Sequence, residues 1–284
     1  MTPVFTIAYI SPNGSTGKVA QALADHLVQN GATVSLIDLV DAENRGPLID
    51  KITTGRDVCL LIGSPVYRDM AVPPVMALID ALPQTADAWA VPFVTYGRAC
   101  SGVALWQMAT ALQAKGFQIA GAAKVAAVHA MMWQSDRPEG DGHPDADDLL
   151  QVRELADRLM TQFSTGQPVP IPLKILDYQT AERAVEFKAK IAQPWMIVPK
   201  TVDENACTEC GTCAEACPTD AITLSPKPEF GGACFDCFNC IRLCPEDAIA
   251  PAVPLAKIEA MIRARVKDID EQPLTRIFTA PGNG

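Results

Sequence analysis

The sequence predicts an α/β protein in two parts: a doubly wound, five-stranded parallel sheet with helices on both faces, then a small cysteine-built domain. Two observations carry this. Up to residue 165, strand-length runs that are apolar almost throughout alternate with helical patterns, as expected of strands covered on both faces. After residue 200, eight of the ten cysteines fall into two copies of one phrase.

The strand-length runs are 4–10, 33–39, 58–63, 91–95 and 118–128. Between them, 17–29 puts Ala20, Leu23, Ala24 and Leu27 on one helical face, and 73–82 and 103–115 are also helical. Asn30-Gly31 and Lys115-Gly116 act as helix stops. A further helix is expected over about 144–163, with Pro144 in its first turn. These elements make residues 1–165 one domain. Pro168, Pro170 and Pro172 start an extended connector, 166–199, which turns helical from 178 to 191 and ends at Pro194. Residues 200–250 form the cysteine domain. Pro251 and Pro254 then lead into a helix near 255–268, and the Pro-Gly-Asn-Gly end of segment 251–284 is expected to fray.

The two phrases read Cys207-x-x-Cys210-x-x-Cys213-x-x-x-Cys217-Pro218 and Cys234-x-x-Cys237-x-x-Cys240-x-x-x-Cys244-Pro245. Zinc sites use separated pairs rather than triplets, and a disulfide framework belongs to short secreted chains. The phrase is instead the bacterial iron–sulfur run, in which the fourth cysteine of each run ligates the other run's cluster. The expected ligands of two [4Fe–4S] clusters are therefore Cys207, Cys210, Cys213 and Cys244, and Cys234, Cys237, Cys240 and Cys217. The segment resembles the two-cluster bacterial ferredoxins over its whole length.

Three loops at strand ends point to a second cofactor. Ser11, Pro12, Asn13, Gly14, Ser15 and Thr16 form a polar turn between a strand and a helix start, where backbone N–H groups can meet a phosphate. Gly14 and Gly17 are too close for a nucleotide-triphosphate P-loop, Val19 stands where Ser or Thr is needed, and G-x-G-x-x-G is absent. The turn resembles the flavodoxin phosphate loop, with Ser11, Asn13, Gly14 and Thr16 in the corresponding places and Asn13 where threonine is usual. Gly63-Ser64-Pro65-Val66-Tyr67 and Thr95-Tyr96-Gly97-Arg98 follow later strands and resemble the flavin-ring loops of the same fold. The resemblance implies FMN held by Ser11, Asn13, Gly14, Ser15, Thr16, Ser64, Pro65, Val66, Tyr67, Thr95, Tyr96, Gly97 and Arg98. Taken together, residues 1–250 are similar to flavodoxin–ferredoxin fusions of the EFR1 type, and Gly142-His143-Pro144-Asp145-Ala146-Asp147-Asp148 fits that group too. The run Arg98-Ala99-Cys100-Ser101 departs from it.

Several residues carry a functional and a plain reading at once. Tyr67 and Tyr96 are stacking candidates for the flavin ring or ordinary loop tyrosines. Arg98 is a charge near the flavin N1 or a surface arginine. Cys100 is a redox thiol or a small residue packed beneath the ring, and Cys59 is core. Tyr96 and His129 are the candidate proton donors, with a structural histidine the plainer reading of His129. His26 sits on the polar side of a helix. Residues 130–144 are a lid or a solvated connector. The run Trp195-Met196-Ile197-Val198 is expected to seal a junction, between domains or between copies.

Net charge is −10, which argues against nucleic acid as a partner, since binding phosphates requires the opposite sign. Residues 200–250 hold nine acids against three bases, so a redox protein with a basic docking face is the expected partner, and a merely solubilising acidic surface the alternative. The first residues have no basic leader region, and no run reaches the roughly 18 apolar residues of a membrane span; Lys124 interrupts the longest. With reduced thiols, this points to a cytoplasmic protein without a membrane span. Joining one-electron clusters to a flavin implies electron transfer between low-potential carriers and a redox partner. The alternatives are an FMN-dependent reductase of a small-molecule acceptor (quinone, nitro or enoate) and a non-catalytic subunit of a redox complex.

Overall fold

A computed structural model describes residues 2–41, 44, 46–49, 58–86 and 88–280. The parallel strands are β1 (Val4–Tyr9), β2 (Thr33–Asp38), β3 (Val58–Tyr67), β5 (Trp89–Tyr96) and β7 (Gly121–Ala126). They lie in the order β2-β1-β3-β5-β7, with Phe5 beside both Val34 and Cys59 and Phe93 beside Ala123. This is the doubly wound order in which the chain reverses direction across the sheet at β1 and β3, the flavodoxin-like topology.

Alternate residues of each strand face opposite layers. Phe5, Ile7, Cys59, Leu61, Val91 and Phe93 pack under α1 (Ser15–Gln29) and α4 (Ala146–Ser164). Leu60, Ile62, Ala90 and Val94 pack under α2 (Pro73–Ala81) and α3 (Ala104–Ala114). Asp145 caps α4 by accepting the Asp147 and Asp148 N–H groups, while the Asp148 carboxylate accepts the Asp145 N–H. The helix therefore starts after Pro144 rather than on it.

Three expectations change. The run 63–67 is not a loop: β3 continues to Tyr67 and turns through Arg68 and Asp69, both at positive φ, into β4 (Met70–Ala71). The run 118–128 divides into β6 (Gln118–Ile119) and β7. The Pro-Gly-Asn-Gly end, 281–284, lies outside the described residues, but the tail before it does not fray. It forms β12 (Arg276–Thr279), antiparallel to β7, so the parallel sheet has an added antiparallel edge strand.

The connector carries α5 (Ala181–Ile191), capped by Thr180. The cysteine domain has two small antiparallel ladders: β8 (Lys200–Val202) pairs with β11 (Ile249–Pro251), and β9 (Ile222–Leu224) with β10 (Pro228–Phe230). One-turn helices α6 (Thr212–Glu215) and α7 (Asn239–Arg242) sit within the cysteine phrases. Helix α8 (Leu255–Ile269) follows. Trp195 packs on the sheet domain and Val198 on the cysteine domain, while Met196 between them is exposed. Among the described residues, no helix is long and apolar enough to cross a membrane.

Candidate cofactor cavity and cysteine centres

The carboxyl ends of β1, β3, β5 and β7 open on one cavity of about 940 Å³. It lies at the switch point of the sheet, and its size falls within the roughly 300–1,000 Å³ usual for small-molecule sites. Ten of the thirteen flavin-loop residues line it: Ser11, Asn13, Ser15, Thr16, Pro65, Val66, Tyr67, Thr95, Tyr96 and Gly97.

At one end, α1 begins at Ser15 with no side-chain cap and no acid in its first turn. Its leading N–H groups and positive dipole end are thus suited to an anion. Gly14 supplies the left-handed turn (φ 84°) before the helix but does not itself line the cavity. Ser11 Oγ accepts the Gly17 N–H at 2.8 Å and pins the turn. Thr16 and Thr95 share a buried hydroxyl hydrogen bond of 2.7 Å, which ties the first loop to the third. Asn13 Nδ2 donates to the Tyr67 hydroxyl at 2.9 Å, leaving its second amide hydrogen for another acceptor. This combination fits a phosphorylated, ring-bearing ligand.

Two predicted residues serve the frame instead. Ser64 is fully buried; its hydroxyl accepts the Val72 N–H at 3.0 Å and donates to the Pro65 carbonyl at 2.7 Å, setting the β3–β4 hairpin. Arg98 is absent from the cavity wall and lies 3.5 Å from the Glu139 carboxylate, so it puts no charge beside a ligand there. Gly97, in contrast, is required by space: a Cβ would come within 2.6 Å of the His129 backbone.

The proton-donor candidates separate. The Tyr96 ring borders the cavity, but its hydroxyl donates to the Leu274 carbonyl at 2.7 Å, and burial, with Glu271 nearby, raises its pKa. That hydrogen is directed to the main chain. His129 Nδ1 accepts the Met131 N–H at 3.3 Å, which leaves the hydrogen on Nε2, and burial lowers the ring's pKa to about 4. It is a neutral donor at neutral pH. Cys100 also lines the cavity; burial first, then Glu271, pushes its thiol up to about 12, so it packs there as a neutral group. Cys59 is fully buried in β3, and burial raises its pKa. His26 is hydrogen-bonded to Asp157 at 2.7 Å, outside the site.

The cover of the cavity is α8, a role the sequence reading had not given it. Val253, Lys257, Ile258, Met261, Ile262 and Arg265 line the side opposite the sheet loops. The i, i+3, i+4 spacing of Ile258, Met261 and Ile262 was the available signal. Buried Asp69 fastens the cover: it binds Lys190 of α5 at 2.7 Å and Arg265 of α8 at 2.5 Å. Residues 130–144 support α8 as a shelf. Met131 reaches the cavity, and Arg263 donates to the Ser135 hydroxyl at 3.1 Å and the Arg137 carbonyl at 2.7 Å.

In the cysteine domain, Cys207, Cys210, Cys213 and Cys244 line one small cavity of their own. Cys237 and Cys240 lie within electrostatic reach of Cys234 and Cys217. The eight thiols therefore group across the two phrases, three from one and the fourth from the other. Burial pushes Cys237 and Cys240 up to about 12; only a bound cation would make thiolates favourable there. Cys210 is exposed, and its thiol is lowered by the Thr212 hydroxyl and N–H. The second group is the inner one: Cys237 packs against the sheet-domain core, and Phe235 meets the Tyr67 ring edge-on at 5.9 Å.

Residues 200–223 match the family described as a 4Fe-4S binding domain, which establishes at least one such cluster site. No curated protein matches the chain. Among solved structures it is similar to rubredoxin oxygen:oxidoreductase from Desulfovibrio gigas, at 21% identity and a TM-score of 0.43, over 58% of this chain and 37% of that one. It is also similar to a flavodoxin from the domain Archaea, at 16% identity and a TM-score of 0.42, over 57% of this chain and 99% of that one. An NADH:FMN oxidoreductase in apo form matches at 19% identity and a TM-score of 0.42, over 57% of this chain and 90% of that one. The chain thus spans well under half the length of the Desulfovibrio protein.

Proposed function

We propose that the chain is an electron-transfer protein of the EFR1 type, carrying FMN in the 940 Å³ cavity and a [4Fe–4S] cluster on each cysteine quartet. Ser11, Ser15, Thr16 and the start of α1 would hold the phosphate; Pro65–Tyr67 and Thr95–Gly97 would flank the ring. When bound, FMN supplies exchange between one-electron and two-electron carriers. The observation that carries this reading is contiguity. Phe238 lines the cavity and also sits in the apolar cluster with Cys213 and Cys240, while Phe235 bridges the inner quartet to Tyr67. The acidic surface of 200–250 suits a redox partner with a basic docking face, and reduced thiols suit the cytoplasm.

A second reading has its own support. The apolar residues that α8 contributes to the cavity wall and the neutral Nε2–H of His129 fit a reductase acting on a quinone, nitro compound or enoate inside the cavity.

Anaerobically purified protein should contain about eight iron and eight sulfide atoms per chain, and acid should release FMN. Four iron atoms would remove one cluster; release of FAD, or of no flavin, would overturn the cavity assignment. Steady turnover of an acceptor from a screen of those three classes would establish the reductase.

A further inference from the structure

The two cysteine phrases have matching surroundings. A lysine stands seven residues before the first cysteine of each, Lys200 and Lys227, and an acid two residues after it, Glu209 and Asp236. The fold uses the two lysines differently. Lys200 is 1% exposed; its Nζ reaches across to the other phrase, 3.5 Å from Cys234 Sγ and 2.8 Å from Asp236 Oδ1, and it also donates to the Val198 carbonyl at 3.0 Å. The Phe230 and Phe238 rings lie 5.9 Å and 5.3 Å from it and exclude water. Lys227 is 29% exposed and turns to Glu204, donating to its carbonyl at 2.7 Å.

Other polar contacts reach sulfur in both quartets. The Ala221 N–H donates to Cys217 and the Ala248 N–H to Cys244, each at 3.3 Å. Threonine hydroxyls serve both sides, Thr219 at Cys217 and Thr212 at Cys210, where Thr208 and the Thr212 N–H add to it. The inner quartet alone has an ammonium among these contacts, Lys200 at Cys234, with the Asp236 carboxylate 3.9 Å from the same sulfur.

We infer that Lys200 selectively raises the reduction potential at the inner quartet, Cys217, Cys234, Cys237 and Cys240. This rests on the two-cluster reading above. Reduction adds one negative charge, and net charge, hydrogen bonds to sulfur and burial are the terms that set such potentials. Burial disfavours that added charge and by itself lowers the inner potential relative to the exposed outer quartet. The Lys200 ammonium opposes this where few waters screen it, and Asp236 Oδ1, 3.9 Å from the same sulfur against 3.5 Å for Nζ, offsets it in part. With clusters bound, a raised inner potential would favour passage of one electron from the outer quartet to the inner one beside the cavity, the outer site being oxidised as the inner is reduced, with no bond or proton changing place.

The test is an anaerobic redox titration followed by electron paramagnetic resonance, on full-length protein whose iron content has been measured. In the wild type, four iron atoms per chain would overturn the two-cluster reading, and this inference with it, before any variant is made. With about eight iron atoms, Lys200→Met should lower one of the two midpoints and leave the other in place, Lys200→Arg should restore it, and Lys227→Met should move neither. Unchanged midpoints in Lys200→Met, or an equal fall in both, would overturn the inference while leaving both clusters standing. Asp236→Asn should shift the same midpoint upward, a result that does not depend on the Lys200→Met variant assembling; no shift there counts against the inference as well.

Discussion

On each face of the parallel sheet lies a continuous apolar layer, from Phe5 through Leu159 on one side and from Ala8 through Phe278 on the other. In the cysteine domain the buried apolar cluster is Cys213, Phe238, Cys240, Ile241 and Ile249, and two of those five are proposed ligands. The first region holds itself together by burial. The second, about fifty residues of short ladders and one-turn helices, is below the size at which a core suffices, and metal binding becomes part of its folding free energy. The comparison teaches that one chain contains two stabilities, joined at the Phe235–Tyr67 and Trp133–Phe238 ring contacts.

Removal of iron should separate them most sharply. Chelation under reducing conditions should abolish amide protection across 200–250 while the strands β1, β3 and β5 stay protected, as read by hydrogen exchange. Retained protection in the cysteine domain would mean that it folds without its clusters. A single ligand gives the next largest effect. Cys217→Ser should roughly halve the iron content, and its remaining spectrum should match that of Cys237→Ser rather than Cys210→Ser. A match to Cys210→Ser would undo the crossed grouping of the thiols.

Within the sheet domain, the contact most exposed to a single change is the pair between Lys124, in mid-strand, and Glu271, in the tail, with side chains 2% and 7% exposed. Burial raises the Glu271 carboxyl, but the Lys124 ammonium and the Ser101 hydroxyl and N–H outweigh it and hold it below its usual value. Breaking such a buried pair costs about 3–5 kcal/mol, because the remaining charge is left unpaired. Glu271→Ala should therefore lower the stability of the sheet domain by that amount in urea. Adding Lys124→Met should return much of it, and no recovery would mean that Glu271 acts through its hydrogen bonds with Ser101 and Gln179 rather than through Lys124.

That pair also marks how far the sequence could be read. The near-continuous apolar strands and the cysteine spacing are local signals, so the sheet, its helices and the grouping of thiols were legible. Lys124 was visible as a charge in an apolar run, but its partner lies 147 residues away and nothing in the spacing announces it. The same distance hid β12 and the placing of α8 over the cavity, although the apolar stripe of α8 could be seen. The framing role of Ser64 is hidden in the sequence for a different reason. The hairpin after it turns on Arg68-Asp69, without the Asn-Gly or Asp-Gly that usually signals such a turn, so the strand seemed to end early. Arg98 was placed at the flavin by its loop position, and only the structure reveals Glu139 as its partner.

A smaller effect is expected from acid, and it falls on the domain that iron removal spares. The folded pKa of His129 is lowered to about 4 by burial, against about 6.5 for an exposed imidazole. Below about 6.5 the unfolded chain takes up a proton that the folded one refuses, so stability present at higher pH is lost as pH falls toward about 4. Carboxylates held below their usual range, Glu271 among them, lose their contribution only at more acid values. The window between pH 7 and pH 5 therefore isolates the imidazole. Urea midpoints measured at those two values should fall more in the wild type than in His129→Gln, and the His129 ring protons should titrate near pH 4 by NMR. An ordinary midpoint near 6.5 would mean that the histidine is solvated and that the wall it forms beside Gly97 is open to water.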